Sequence, residues 1–185
     1  TNKLIEYGLL INKYRSEFIQ NINKYITEIY SNIFKSGELK IKYVSNYNNK
    51  NSSKLLKSYQ QNYKKEMEVG KTLIGIHHDD ILFFLDNYNL KEWGSEGQRK
   101  NAIISFKLAE IKVINEIKKI NPILILDDLF SELDKEKIGN ILKLLDEDVQ
   151  TFITTTEINK VDKKILKKPK IFEVDNGKLK EEKHE

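Results

Sequence analysis

Apolar side chains recur every three or four residues along much of the first seventy positions, the spacing that places them on one face of an α-helix. A first stripe predicts one long helix over residues 4–34, ended near Gly37, and consists of Ile11, Tyr14, Phe18, Ile22, Tyr25, Ile29 and Ile33. A second stripe predicts a helix over residues 53–69 and consists of Leu56, Tyr59, Tyr63 and Met67. Between them, residues 38–47 alternate apolar and polar side chains, which predicts a half-exposed strand.

The pattern changes after residue 70, where short apolar runs alternate with helical stretches. The predicted elements are a strand at 72–76, a hairpin of 81–85 with 89–93 through Asn87, a helix at 96–117, a strand at 123–126, a helix at 135–145, a strand at 149–154, and a hairpin of 170–174 with 178–179 turned by Gly177. The helix at 96–117 is apolar over much of its circumference, so we expect it to be well buried. Its apolar residues are Ala102, Ile103, Phe106, Ala109, Val113 and Ile117.

Two carboxylates follow the run from Ile123 to Leu126, which carries no polar alternation and so favours a strand buried on both faces of a sheet. Asp127 and Asp128 come directly after it, where ligands bind in open α/β sheets. Paired acids are costly at such a place unless they hold a cation or take part in chemistry. An ordinary strand and turn, with Asp134 capping the next helix, accounts for the same residues, and both interpretations remain open at this point.

A helix start is predicted upstream of this acid pair. Ser95 and Gln98 have the S-x-x-Q spacing of a capping box. The unpaired N–H groups and the positive dipole end of a helix start attract anions. Gly97, which has no Cβ, would let a phosphate approach the backbone closely. Capping boxes also begin many helices that bind nothing, so this feature alone decides little.

The order of these features resembles the C-terminal half of an ABC-type ATPase head. In such a head a signature motif at a capped helix precedes a Walker B strand with its acids and then a D-loop, here Ser131-Glu132-Leu133-Asp134. The segments SEGQRK, FKLAE, PILILDDLFSELD and FITTTE are similar to the RecF family of DNA replication and repair proteins, from about Thr72 to Thr156. The resemblance implies an α/β fold in which residues 71–185 form the C-terminal part of the head and residues 1–70 form an attached helical lobe.

The resemblance also implies roles for individual residues in holding ATP and Mg²⁺ between two heads. Asp127 is expected on the metal or its water, and Asp128 is the expected catalytic residue that orients or deprotonates the attacking water. The residues expected at the nucleotide or at the seam between the heads are Ser95, Gly97 and Gln98 of the signature, Ser131 and Asp134 of the D-loop, and Thr155 at the end of the next strand. The threonines there stand where ABC transporters usually place a switch histidine.

By the same resemblance, the protein is expected to form an ATP-dependent homodimer on DNA. The expected DNA contains gaps or junctions between single and double strands, and the expected partners are RecO and RecR, in loading a recombinase during recombinational repair. One alternative is an SMC-like head that organises chromosomes, which long heptad arms in the full gene would favour. A second is a metal-dependent nuclease that uses Asp127, Asp128 and Glu132, although this hypothesis leaves the capped helix unexplained.

Two other segments look like functional motifs but give little evidence of function. Gly70-Lys71-Thr72 is not a phosphate loop, because such a loop needs a glycine where Lys65 stands. The phosphate loop is therefore expected outside these 185 residues and, since the first residue is Thr1 and not Met, we expect a fragment that is inactive by itself. The stretch His77-His78-Asp79-Asp80 lacks the ligand spacing of a metal site. RecF relatives have the similar stretch G-P-H-R-D-D, and any role of its arginine does not pass to His78.

Composition sets broad limits. A length of 185 residues suffices for one domain with a reasonable core, and a net charge of +4 is too mild to establish nucleic-acid binding. Lysines concentrate over residues 160–170, where a solvated face is the ordinary explanation and a DNA-binding site is the alternative. The chain has no cysteine and no apolar run long enough to cross a membrane, so a cytoplasmic setting without a membrane partner is expected.

Overall fold

The computed structural model describes residues 1–128, 133–145, 148–161, 165–166 and 169–181. Internal contacts divide the chain into two compact units, Thr1–Ile120 and Asn121–Glu185. The predicted division between residues 70 and 71 falls inside the first unit, and the division into a helical lobe and a head stays a prediction. Among the described residues, no helix combines the length and the apolar character needed to cross a membrane.

The first unit combines helices with an antiparallel sheet. In chain order its elements are α1 (Asn2–Asn23), α2 (Ile26–Phe34), β1 (Leu39–Val44), α3 (Ser52–Val69), β2 (Asp80–Leu85), β3 (Tyr88–Asn89), α4 (Leu90–Trp93) and α5 (Glu96–Lys118). The sheet has the order β1-β2-β3, and β1 pairs with β2 along its whole length. Leu39, Ile41 and Tyr43 of β1 are buried and the residues between them are exposed, which confirms the alternation read from the sequence.

The single helix predicted over residues 4–34 is wrong, because the chain breaks between α1 and α2 at Lys24 and Tyr25. Asn23 turns its side chain to β1, where it accepts a hydrogen bond from the Ile41 N–H (2.9 Å) and donates one to the Ile41 carbonyl (2.8 Å). Asparagine competes for backbone groups in this way, which is why it disfavours helix interiors. After the break, α2 packs against α5 and buries Ile26, Ile29, Tyr30 and Ile33.

The helix predicted over residues 53–69 is confirmed as α3, but only Tyr59 of its predicted apolar face is buried, together with Leu55 beside it. Tyr63 and Met67 are 61% and 68% exposed. The buried side faces α1 and contributes to a small hydrophobic core, the α1–α3 cluster, which consists of Ile5, Tyr47, Leu55, Tyr59 and Ile74. Packing against α1 therefore selects one side of the apolar stripe and leaves the other in solvent.

The segment after α3 forms no strand at residues 72–76, contrary to the prediction. Gly70 ends α3 in the left-handed conformation (φ 64°), which is the role of a helix terminator and not of a phosphate loop. The Glu66 carboxylate accepts the Leu73 N–H over 2.7 Å, and a 3₁₀ turn follows at Ile76–His78. These local bonds fold the segment into turns in place of a sheet ladder.

The hairpin predicted through Asn87 is confirmed, although its second strand is shorter than predicted. Asp86 and Asn87 both adopt positive φ (49° and 70°), as a two-residue turn of type I′ requires between antiparallel strands. The strand β3 ends at Asn89, whose side-chain oxygen accepts the Lys91 N–H over 3.0 Å and so begins α4. The residues predicted to extend this strand to Trp93 are therefore helical.

The helix predicted over residues 96–117 is confirmed as α5, but its burial is less complete than predicted. Ala102, Ala109 and Val113 are buried, while Ile103 and Ile117 are 48% and 53% exposed. The helix packs on α2 and α1 along one side. Although α5 has apolar residues around much of its circumference, only the side that packs on α2 and α1 is buried.

The second unit contains a parallel pair of strands, a helix and a terminal hairpin. Its elements are β4 (Leu124–Leu126), α6 (Lys135–Leu144), β5 (Thr151–Ile153), β6 (Phe172–Asp175) and β7 (Lys178–Glu181). The strands β4 and β5 are parallel, and α6 buries Ile138, Ile141 and Leu142. The closing hairpin of β6 and β7 is confirmed, with Asn176 and Gly177 at positive φ (48° and 73°) in its turn.

The strand β4 is buried on one face only, which corrects the prediction of burial on both. Leu124 and Leu126 are buried, but Ile123 and Ile125 are 61% and 66% exposed. Phe152 of β5, directly opposite Ile125, is 51% exposed. Because successive side chains of a strand point to opposite faces, the described part of this unit covers one face of the two-stranded sheet and leaves the other open.

Candidate functional site

The capping box predicted at the start of α5 is confirmed in full. The Ser95 hydroxyl oxygen accepts the Gln98 N–H over 3.2 Å, and the Gln98 side-chain oxygen accepts the Ser95 N–H over 2.9 Å. Both residues are exposed. This reciprocal pair fixes the first turn of a 23-residue helix, so the positive end of its dipole is held in a defined place at the surface.

Gly97 and its neighbours leave the first turn of α5 sterically open. Apart from its chain neighbours and the backbone of its own helix, no atom of the described residues would lie within 4 Å of a Cβ built on Gly97. The Arg99 guanidinium donates to the Gly94 carbonyl over 2.7 Å and holds the entry to the helix. The Lys100 ammonium, 3.0 Å from the Glu96 carboxylate, lowers the pKa of Glu96 and offsets its negative charge. An anion that approached the backbone here would meet neither a side chain at Gly97 nor an unbalanced carboxylate.

The acid pair lies at the carboxyl end of β4, as predicted, and one hydroxyl of the neighbouring strand reaches both of its members. Thr154 follows β5 and donates its hydroxyl hydrogen to Asp127 Oδ1 over 2.5 Å. The same oxygen accepts the Asp128 N–H over 2.9 Å. The Thr154 N–H donates to the Leu126 carbonyl over 3.0 Å and so extends the parallel pairing by one residue. Both acids are exposed, and Asp128 has the left-handed φ of 47°.

Thr154 was missed by the sequence interpretation, which chose Thr155. The Thr155 hydroxyl oxygen accepts the Glu157 N–H over 3.0 Å, a local turn that leads away from the strand. The alignment of the two parallel strands identifies Thr154. Leu126 pairs with Ile153, so Thr154, which follows Ile153, lies beside Asp127, which follows Leu126.

Asp134 has a clear structural role in the described part of the chain. Its side chain caps α6 by accepting the Lys137 N–H over 2.9 Å, and the Lys137 ammonium lies 2.7 Å from its other oxygen. These contacts lower the pKa of Asp134. The other expected D-loop residue, Ser131, lies outside the described residues, as does Glu132 of the nuclease hypothesis. The seam role of the D-loop therefore stays a prediction.

The predicted site residues fall into both compact units. Ser95, Gly97 and Gln98 belong to the first, whereas Asp127, Asp128, Asp134 and Thr155 belong to the second. Among the described residues there is no cluster of three or more histidine, cysteine or acidic side chains that could hold a metal ion. Two adjacent carboxylates suit Mg²⁺, which commonly takes one or two protein carboxylates and completes its shell with water and phosphate oxygens.

The chain is similar to curated bacterial proteins over almost its whole length. It is 40% identical over 190 residues to the DNA replication and repair protein RecF of Ligilactobacillus salivarius, and 37% identical over 188 residues to that of Halalkalibacterium halodurans. These alignments cover 98% and 97% of this chain but only 50% and 51% of the relatives. The chain therefore spans about half the length of the curated relatives it matches. No protein-family model matches it.

Solved structures show the same fold. The recombination mediator protein RecF with ATP, from the RecFOR pathway, superposes with a TM-score of 0.79 over 98% of this chain and 49% of that one, at 24% identity. A structure from work on ATP-driven dimerization and DNA-stimulated activation of SMC ATPases superposes with a TM-score of 0.55 over 91% of this chain, at 12% identity. The predicted resemblance to the RecF family and the predicted α/β head fold are both confirmed.

Proposed function

We propose, because the chain is homologous to the RecF proteins over about half of their length, that it supplies the C-terminal half of an ABC-type ATPase acting in DNA replication and repair. The observation that carries this proposal is the acid pair at the carboxyl end of β4, tied to β5 through Thr154. That is the edge of an α/β sheet where ligands bind. The capped and open start of α5 provides a second element suited to phosphate.

The roles of the residues follow from their chemistry. Asp127 would hold Mg²⁺, which when bound neutralises phosphate charge. Asp128 would orient or deprotonate the attacking water, since an exposed carboxylate can accept its proton. Ser95, Gly97 and Gln98 would lie at the γ-phosphate of a nucleotide held by a second subunit. The capping box uses the N–H groups of Ser95 and Gln98, so the donors would be the Ser95 hydroxyl and the Gly97 N–H, which the capped helix start holds in a fixed direction.

The assembly we propose is a homodimer that ATP holds together on DNA. A ligand that binds the closed dimer better than the separated heads shifts the equilibrium towards the dimer, and hydrolysis releases it. The ATP-driven dimerization described for SMC ATPases, which share this fold, supports the idea. The RecFOR pathway named for the solved relative supports RecO and RecR as partners. The DNA target in this proposal is a gap or a junction between single and double strands.

The first experiment measures the dimerisation of the full-length gene product by light scattering, with and without ATP. Ser95→Arg places a long cation in the phosphate space, and Ser95→Asp keeps an equally good helix cap while adding a negative charge. We expect both variants to lose the ATP-dependent dimer. Ser53→Arg, the same change at an exposed serine of α3, is the matched control and should dimerise as the wild type does.

Two outcomes would contradict the proposal. Dimers that form equally well without ATP, or in both Ser95 variants, would leave only the shared fold and remove the proposed role of ATP and of the capped helix in joining the heads. DNA cleavage by the wild type with Mg²⁺ and no nucleotide would instead favour the nuclease hypothesis.

A further inference from the structure

We propose that Thr154 is the positioning residue of the acid pair, fixing Asp127 and Asp128 for the metal and for the attacking water. The inference rests on the proposed ATPase function and assigns a residue that the sequence pattern passed over in favour of Thr155. One hydroxyl joins both acids, and it comes from a different strand than they do.

The contact to Asp127 fixes the direction of its carboxylate. The Thr154 hydroxyl donates to Oδ1 over 2.5 Å, and a hydrogen bond to an ionised oxygen is stronger than one between neutral groups. No described residue bonds Oδ2 of Asp127, so that oxygen faces no competing donor within the described part of the chain. A carboxylate held by one oxygen presents the other to a cation without first losing rotational freedom.

The contact to Asp128 fixes the backbone. Asp128 has a φ of 47°, a region that residues other than glycine seldom adopt. The Asp128 N–H donates to the Thr154 hydroxyl over 2.9 Å, which ties this turn of the chain to the neighbouring strand. Thr154 is itself held by its N–H bond to the Leu126 carbonyl, so the three residues form one small framework.

The exposure of these residues separates a positioning role from a structural one. Thr154, Asp127 and Asp128 are all exposed, so they contribute little to the buried core of the unit. Loss of the hydroxyl should therefore change the geometry of the acids far more than the stability of the fold. Residues that hold a metal ligand from behind commonly change metal affinity by about 10- to 100-fold when they are replaced.

The test uses the full-length gene product and three variants. Thr154→Val keeps the branched shape without the hydroxyl, and Thr154→Ser keeps the hydroxyl without the branch. Thr151→Val makes the same change at the start of β5, where the hydroxyl donates to the Val149 carbonyl, and controls for effects on the strand. The first readout is the affinity for Mn²⁺ as a spectroscopic substitute for Mg²⁺, measured by electron paramagnetic resonance with ADP present. The second is the Mg²⁺ concentration that gives half-maximal ATP hydrolysis.

We expect Thr154→Val to weaken Mn²⁺ binding, and to raise the Mg²⁺ requirement, by roughly tenfold or more. Thr154→Ser should restore both values to within about threefold of the wild type, since it keeps the hydroxyl that makes the contacts. A Thr154→Val protein with wild-type metal affinity would overturn the inference, and so would an equal loss in Thr154→Ser or in Thr151→Val. Failure of the wild type to bind Mn²⁺ with nucleotide would overturn the proposed ATPase function itself.

Discussion

At the scale of single residues, burial decides which charges need a partner. The Asp79 side chain is only 4% exposed, and Arg15 of α1 donates to its Oδ2 over 2.7 Å while the Tyr43 hydroxyl donates to the same oxygen. The bond to Asp79 raises the pKa of Arg15. The similar stretch of RecF relatives, G-P-H-R-D-D, has an arginine at the position of His78 in this chain. Here a guanidinium from another element neutralises the neighbouring acid.

Gly8 illustrates a residue whose identity is set by a close neighbour. A Cβ at Gly8 would lie 2.5 Å from the ring of Tyr47, which is 1% exposed and hydrogen-bonded to Tyr59 over 2.9 Å. Because the ring is buried and its hydroxyl is hydrogen-bonded, it cannot move aside freely. We expect Gly8→Ala to lower the free energy of unfolding by about 1–3 kcal/mol, the usual cost of overpacking a core. Urea denaturation followed by circular dichroism measures it.

Gly97→Ala is the matched control for this prediction. It also lies in a helix, but within the described part of the chain no side chain beyond its immediate neighbours comes within 4 Å of its Cβ position. Alanine has the higher helix propensity, so this variant should be as stable as the wild type or more stable by roughly 0.5–1 kcal/mol. Equal effects of the two substitutions would show that the contact with Tyr47 does not determine the choice of glycine.

At the scale of elements, the sequence predicted the features whose causes are local. The capping box of Ser95 and Gln98 and the turn at Asp86 and Asn87 depend on residues within a few positions of one another, and both are confirmed. The break after Asn23 was not predictable in this way, because its cause is a pair of bonds to Ile41, eighteen residues away. Local periodicity carries no information about such a partner.

The candidate site likewise has features that the local sequence predicts and features that depend on distant residues. The acid pair and the capped helix were identified from residue types and spacing, and the structure places them at a strand end and a helix start. Thr154 needed the alignment of β4 with β5, which sets it and not Thr155 beside Asp127. The burial of α3 needed knowledge of α1, since propensity alone does not choose between Leu55 and Leu56.

The packing of α1 on α3 makes the stability of the first unit dependent on pH at the alkaline end. Burial, followed by the hydrogen bond to Tyr47, raises the pKa of Tyr59 above the ordinary 10.0. The folded state therefore favours the neutral phenol, so its contribution is complete below about pH 10 and is lost as the pH rises beyond that value. We expect the free energy of unfolding to begin to fall at about pH 9.5, where an unfolded tyrosine starts to ionise, and to keep falling as the pH rises towards the raised pKa of the folded state.

The variant Tyr59→Phe separates this residue from the lysines and other tyrosines that also titrate there. Denaturant unfolding at intervals across that pH range should give a shallower decline for Tyr59→Phe than for the wild type. Tyr63→Phe is the matched control, since Tyr63 lies one turn further along α3 and is 61% exposed. If the wild type and Tyr59→Phe declined in parallel, the cluster would not be the source of the alkaline dependence.

At the scale of the whole molecule, the candidate site residues are shared between two compact units of a chain that spans about half of its relatives. In the proposed dimer this distribution has a simple reason. The start of α5 would serve a nucleotide held by the partner, whereas Asp127 and Asp128 would serve a nucleotide held by their own subunit. The two sets need not meet within one chain, and each can be tested by its own substitution.

The set of motifs within the 185 residues predicts what this chain does by itself. It carries the acids and the capped helix but no glycine-rich loop with a lysine to hold the phosphates, so we expect no ATP hydrolysis above the buffer rate. The full-length gene product should hydrolyse ATP, and Asp128→Asn should slow it by about a hundredfold or more, the usual share of a general base. Phosphate release measures both. Suppose instead that the isolated 185-residue chain hydrolyses ATP and that Asp128→Asn abolishes this activity. The 185 residues would then form a complete ATP site, and the proposal that a phosphate loop from outside them is needed would be wrong.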